Sequence, residues 1–463
     1  MSAVFARISR LAAVMLVLAI IAGCAPAVTP AAPAPQAPAP TTAPAAPAEP
    51  TAAPAPPAAQ PVEVTFWAAL GGNNGTILES FVNAYNESQN EVKVKYEFQG
   101  AYADTEQKFL ATLAGGQVPD LVMLEISRIP GFANSGALLP LDDLAAGPDG
   151  IDLKDFAAGL LAESKIGGKL YSLPQARSMP VFYYNKDMFK AAGIDATEAP
   201  KDWAAIRDAA IKLTKADGSA YGWGLQIGNP WWYFQEAVEN YGAEVSVQEG
   251  DKCTATFNSP EAVEALQWWY DLVYVDKAAK IYPGQGLTTW EALQADFISG
   301  KIGMMYITTG WMGNIKKNSP FEVGVGMLAA GPTGVRRAPT GGNGIAIPAK
   351  APADRQAAAW TFLKWLTDTP QTASWAKQTG YMPLRLSAMD DPELKAYFTE
   401  NPTFEVAVAQ MQYASPFPCI KLHPKTESTA DVLWERIFVA QEPVQKVADE
   451  VAKQIQELVD TME

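Results

Sequence analysis

Apolar and polar residues alternate along Val62–Trp67 (VEVTFW), the repeat of a half-buried strand. The next residues, Gly71-Gly72-Asn73-Asn74-Gly75, are polar and glycine-rich and predict a turn outside the core. The spacing then lengthens, with Ile77, Phe81, Val82 and Tyr85 on one face of a helix. Val92–Phe98 is the next strand, and Asp104–Leu113 a second helix broken by Gly115-Gly116. Leu121–Leu124 is a short continuous apolar run, the mark of a strand covered on both faces. This rhythm predicts an α/β body with helices packed on a parallel sheet, and ligands in such sheets sit outside the carboxyl ends of the strands. The turns after Trp67, Phe98 and Leu124 are therefore candidate ligand positions. At the far end, Pro443–Leu458 carries Val444, Val447, Val451 and Ile455 at helical spacing and predicts a surface helix seated by one face. No internal repeat is evident.

Before Val62 the pattern is of another kind. Arg7 and Arg10 precede an apolar run, Leu11–Ile21, which ends in Ala22-Gly23-Cys24. A charged start, a short apolar core and small residues describe an export signal at residues 1–23. The run is shorter than the ~20 residues of a lasting membrane span. A cysteine directly after Ala-Gly resembles the lipobox of bacterial lipoproteins, which implies that Cys24 is lipidated and becomes the new N-terminus. From Ala25 to Pro61 the chain is almost only Ala and Pro, with nothing to bury against its ordering entropy. Residues 24–61 thus read as a disordered stalk, able to hold a domain up to roughly 100 Å from the lipid if extended as polyproline II.

The roughly 400 residues beyond the stalk are long for a single core and predict two lobes. A net charge of −15 argues against nucleic acid or an anionic membrane surface as partner, leaving the lipid anchor as the membrane contact. The 13 Trp and 16 Tyr point elsewhere, because several stand in loop-like contexts where aromatic faces meet sugar rings in exported proteins. Most of the others belong to the core. With Cys24 assigned to lipid, Cys253 and Cys419 are the remaining cysteines, and their pairing is left open because geometry decides it.

A search for catalytic chemistry finds no constellation. His423 is the only histidine, so neither a histidine-based zinc site nor a Ser-His-Asp triad with a spare acid is easily assembled. Gly341-Gly342-Asn343-Gly344 is glycine-rich, yet Ile345–Pro348 after it reads as strand rather than the helix of a dinucleotide site. The acids Asp142 and Asp143 are adjacent and read as a solvated loop. No enzyme, cofactor or metal site is expected.

One resemblance is specific. Residues 171–194, YSLPQARSMPVFYYNKDMFKAAGI, resemble the signature of extracellular solute-binding proteins of the sugar type, the receptors of ABC importers. The likeness recurs at Phe297–Met304 (FISGKIGM), Thr308–Trp311, Trp360–Trp365 and Thr379–Leu384 (TGYMPL), in the family's order over nearly the whole chain. It implies a two-lobed periplasmic-binding-protein fold with three interlobe crossings and ligand in the cleft between the lobes. On this reading the crossings fall near Tyr171–Ser178, Met304–Gly310 and Ile347–Ala351. Residues 62–172 and 309–346 then form one lobe, and 179–303 and 351–463 the other. Within the family the chain is most similar to members that bind sn-glycerol-3-phosphate and glycerophosphodiesters.

Carried over by position, that likeness implies ligand contacts at Tyr102, Glu125, Ser178, Trp231, Thr309, Gly342 and Tyr381. Trp232, Gly310 and Trp311 join them as a neighbouring wall, a backbone donor and an added stacking surface. Those members hold phosphate with an arginine after a Pro-Phe pair, whereas Pro416-Phe417 here leads to Lys421, which lacks the bidentate geometry. A neutral mono- or oligosaccharide is therefore the expected ligand, with a glycerol-3-phosphate or glycerophosphodiester ligand as the alternative. An extracellular carbohydrate-active enzyme is a third reading. The implied partners are this ligand and the permease subunits. The implied state is an extracytoplasmic, lipid-anchored monomer.

Overall fold

A computed structural model describes residues 60–461 apart from 228–230, 250–251, 285–286, 416 and 420–423. The leader, Cys24, nearly all of the Ala/Pro tract, Lys421 and His423 lie outside the described residues.

The first strand β1 (Val62–Ala68) is followed by α1 (Gly72–Ser88), β2 (Val92–Phe98), α2 (Tyr102–Gly115) and β3 (Leu121–Glu125). The GGNNG stretch differs from expectation: from Gly72 it forms the first turn of α1, with Asn74 and Gly75 buried. The buried Asn74 is satisfied across the fold, since its Nδ2 donates to the Gly310 carbonyl at 3.0 Å. Next come β4 (Leu173–Ser178), β5 (Pro180–Asn185), β6 (Tyr221–Gln226), α3 (Trp231–Asn240), α4 (Pro260–Tyr274) and β7 (Ala279–Tyr282). Then follow α5 (Leu287–Ile298), β8 (Ile302–Thr308), α6 (Met312–Asn318), β9 (Val323–Gly326) and β10 (Gly341–Ala346). The chain ends through α7 (Ala353–Leu366), α8 (Thr369–Thr379), α9 (Pro424–Trp434) and α10 (Val444–Asp460).

Ten of these strands make two sheets of five, ordered β2-β1-β3-β10-β4 and β7-β6-β8-β5-β9. The fold is α/β with two lobes, one around each sheet. Neither sheet is wholly parallel. β1 runs parallel to β2 and β3, but β10 enters antiparallel between β3 and β4. In the second sheet β6 is parallel to β7 and β8, while β5 is antiparallel to β8 and β9. The antiparallel strands are those that arrive from the other lobe, so their direction is set by the crossing rather than by a βαβ unit.

Sheet membership redraws the expected lobes. The first passage falls at Ser178–Pro180, between β4 and β5. Met304–Gly310 is not a crossing between sheets, because β8 and then β9 both pair within the second sheet. Residues 323–326 thus belong to the second lobe. The return lies between β9 and β10, and α7 and α8 then pack on β1 and α1 of the first lobe, so Ile347–Ala351 is not a crossing either. The last passage leads from Leu386–Met389, bonded through Ser387 to Asp155, to Pro402–Phe404 against β9. The sequence motifs marked segments near the cleft but not which sheet each segment joined.

α10 seats by the face expected of it, with Val444, Val447, Val451 and Ile455 all buried. Each such side chain contributes about 1.5–3 kcal/mol of transfer free energy. Cys253 and Cys419 form a disulfide with Cα atoms 6.0 Å apart, 166 residues apart in sequence. A cross-link of that length restricts the unfolded chain by roughly 4–5 kcal/mol on the loop-entropy account.

Candidate functional site

The carboxyl ends of β1, β2, β3 and β4 and the start of β10 lie along one edge of the first sheet, and Thr308 at the end of β8 faces it from the second. Between them lies a cavity of about 580 Å³, within the usual size of small-molecule sites. The turns after β1 and β2, and Glu125 at the end of β3, all contribute to its lining. Tyr102, Glu125, Ser178, Trp232, Trp311, Gly342 and Tyr381 are brought together there.

The lining is oriented from behind. Glu125 accepts from the Ser127 backbone N–H at 3.0 Å and from its hydroxyl, which fixes one carboxylate oxygen and sets the direction of the other. Asn343 Nδ2 donates to the Tyr102 hydroxyl at 3.0 Å. Desolvation pushes the Tyr102 phenol well above its ordinary value, so it stays a neutral donor and acceptor. The Tyr381 phenol is likewise raised by burial, and its ring stacks on Trp375 at a centroid distance of 5.5 Å. Trp232 Nε1 donates to the Thr340 carbonyl at 3.0 Å, and its ring lies so close to Gly341 that a Cβ there would stand 1.9 Å from Cζ2.

Two of the expected positions lie outside the cavity lining. Thr309 is fully buried and its hydroxyl has no partner among the described residues, while Gly310 is covered by Tyr381, whose ring would meet a Cβ at 2.4 Å. These residues form the floor under Tyr381 rather than the lining. Trp231 begins α3, and its side chain is outside what is described.

Several lining residues were not expected. Trp290 stands 5.8 Å from Trp232 and 6.2 Å from Trp311, linking the two into one aromatic wall. It follows Pro283-Gly284-Gln285-Gly286, a turn signal in the sequence. Phe98 lines the cavity with half its surface exposed, and Asn73, Glu291, Gln294 and Asn314 add polar groups. A wall of three indoles with carboxylate and amide acceptors suits C–H faces and hydroxyl groups. Among the described residues no group of His, Cys, Asp and Glu is arranged to hold a metal, and no helix is long and apolar enough to cross a membrane.

Comparison with known proteins agrees with this geometry. The profile of the bacterial extracellular solute-binding protein family matches residues 80–405. The sn-glycerol-3-phosphate-binding periplasmic protein UgpB of Pectobacterium atrosepticum is 26% identical over 406 residues, 84% of this chain and 89% of that one. The crystal structure of UgpB from Mycobacterium tuberculosis in complex with glycerophosphocholine superposes with a TM-score of 0.79 at 28% identity, covering 88% of this chain and all of the other. Maltose-bound MalE3 of T. maritima, at 23% identity and a TM-score of 0.76, shares the fold over 86% of this chain and the whole of that one.

Proposed function

The chain belongs to the bacterial extracellular solute-binding protein family, the receptors of ABC importers, and from that premise we propose that its cleft captures a neutral mono- or oligosaccharide. The observation that supports this most is the wall of Trp232, Trp290 and Trp311 in one cavity with Glu125, Glu291, Gln294 and Asn314. Indole faces pack on the apolar faces of pyranose rings, and carboxylates and amides accept from ring hydroxyls. Two carboxylates in the lining also repel a phosphate, which weighs against a phosphorylated ligand.

A second reading, a glycerophosphodiester ligand, is supported by the relatives named above and by the same tryptophans, whose faces also attract a quaternary ammonium group. The relatives are binding proteins, and the chain is read here as a receptor that leaves its ligand unchanged. Export and anchoring through Cys24 complete the proposal, placing the receptor outside the cell membrane within reach of its permease.

Thermal unfolding with maltose, mannobiose, glycerol 3-phosphate and glycerophosphocholine tests the choice. A ligand at 100 times its Kd adds about 2.7 kcal/mol to folded-state stability. The saccharide reading expects a saccharide to raise Tm and glycerol 3-phosphate to leave it unchanged. Stabilisation by glycerophosphocholine alone overturns it in favour of the second reading.

A further inference from the structure

Behind the cavity, on β4, lies Arg177, whose side chain is fully buried. Its guanidinium pairs with Glu163, and it donates from Nε to the Gly341 carbonyl at 3.2 Å and from Nη1 to the Leu160 carbonyl at 3.0 Å. Its own carbonyl accepts from the Met382 N–H at 2.9 Å. Glu163 in turn accepts from the Thr340 hydroxyl at 3.1 Å. The bonds to Gly341, Met382 and Thr340 end at or one residue away from a residue that lines the cavity, and those to Leu160 and Glu163 anchor the guanidinium behind it. Ser178 follows Arg177, Tyr381 precedes Met382, and Gly341 is itself lining and follows Thr340. These three segments come from separate parts of the chain and meet where it passes between the lobes at Ser178–Pro180.

We propose that Arg177, held by Glu163, is the positioning residue of the ligand cavity: it fixes Ser178, Gly341 and Tyr381 in one frame. A planar guanidinium suits this task because its donors point in fixed directions, so one side chain can set the spacing of several backbone carbonyls. Three features separate this from ordinary core packing. Two of the three donor directions are spent on backbone carbonyls of different segments. The counter-charge on Glu163 is itself bonded to the strand that carries Gly341. Trp232 meets the same segment through Thr340 and Gly341, so that segment is held by both a cavity ring and the ion pair. The inference rests on the cleft being the ligand site.

The test uses the full exported protein with maltose and glycerophosphocholine as probes, and amide hydrogen exchange without ligand. Glu163→Gln keeps an acceptor for Thr340 and removes the counter-charge. Exchange across residues 338–346 and 379–384 should become about tenfold faster, with α10 unchanged. Affinity for whichever probe binds wild type should fall about tenfold or more. The double variant Arg177→Met with Glu163→Leu removes both charges and fills the space, which often restores stability to a buried pair. If Arg177 positions the walls, this variant regains its Tm but not its affinity. Unchanged exchange in both segments, or wild-type affinity in the double variant, overturns the proposal. Should wild type bind neither probe, the ligand classes proposed above fail, while the exchange comparison still decides the role of Arg177.

Discussion

The second lobe holds two sets of tryptophans that share a side chain and little else. Trp203, Trp223 and Trp269 are buried, with Trp269 in ring contact with both others at 5.5 and 5.2 Å. Tyr306 closes against Trp223 edge to face at 4.8 Å. Among the described residues none of the three indole N–H groups has a hydrogen-bond partner, so these rings sit there for their apolar area and despite a polar cost. Trp232, Trp290 and Trp311 are only partly buried and touch one another through ring edges, with the cavity beside them. Rings of the first set are surrounded by side chains that must stay. Rings of the second border a space that a ligand can fill. The difference is one of missing neighbours.

The largest effect that can test this contrast is at Trp269. Trp269→Ala should lower the folding free energy by about 3–5 kcal/mol, through lost transfer energy and the cavity left among Trp203, Trp223 and Tyr306. Denaturant unfolding measures this. Ligand affinity, taken well below the lowered Tm, should stay within about twofold of wild type. A loss of affinity without a loss of stability would erase the distinction between the sets.

A smaller effect sits on the border between them. Glu236 on α3 is buried beside Trp232 and Trp290 of one set and Tyr306, which packs on the other. One carboxyl oxygen accepts from Asn240 Nδ2 at 2.8 Å, and the other has no partner among the described residues. Burial pushes its pKa to about 8, against the lowering bond from Asn240 and with a smaller push from Glu239. Glu239 is raised to about 7, again chiefly by burial. A carboxyl raised in the folded state binds its proton more tightly there than in the unfolded chain. Its stabilisation is therefore complete below the unfolded value near 4.5 and is lost as pH rises through the folded value. Tm should decline between about pH 5 and 8, and Glu236→Gln should flatten that decline. A Tm that rises over this interval in wild type, or an equal slope in the variant, would show that Glu236 is not the neutral acid described.

How far the sequence could go is visible in the same residues. The strands β1, β2 and β3, the helix α10 and the carboxyl-end location of the cavity follow from spacing alone, because each depends on which face of one element is apolar. Tyr102, Glu125, Ser178, Gly342 and Tyr381 came from resemblance and do line the cavity. Thr309 and Gly310 did not, because the Tyr381 ring lies over Gly310, a contact across the fold that no local pattern encodes. Sheet membership of 323–326 and of α7 and α8 was hidden for the same reason: an apolar strand or helix reads alike in either lobe. Trp290 was legible in principle, since a turn signal precedes it, whereas Asn74 was misread because a polar residue bonded to a buried carbonyl looks like a solvated one.

The sharpest form of the contrast is also its smallest effect. Trp290 and Trp311 each present a ring to the cavity, and Trp290 touches both of its neighbours. Stacking of a ring on a ligand contributes about 1–3 kcal/mol, taking base–aromatic stacking as the analogy, so Trp290→Ala and Trp311→Ala should each weaken binding about tenfold or more. The unliganded Tm should barely move, because each ring already borders the cavity on one side and leaves no new void in the core. Trp232 lies between the two behaviours. Its indole N–H is committed to Thr340 and its ring packs on Gly341, so Trp232→Ala should lower affinity and unliganded stability together. Titration calorimetry and unliganded melting on the three variants separate the cases. If Trp290→Ala and Trp311→Ala lower Tm as Trp269→Ala does and spare affinity, the cavity wall is core, and the ligand contacts lie on the first lobe's side at Phe98, Tyr102 and Glu125.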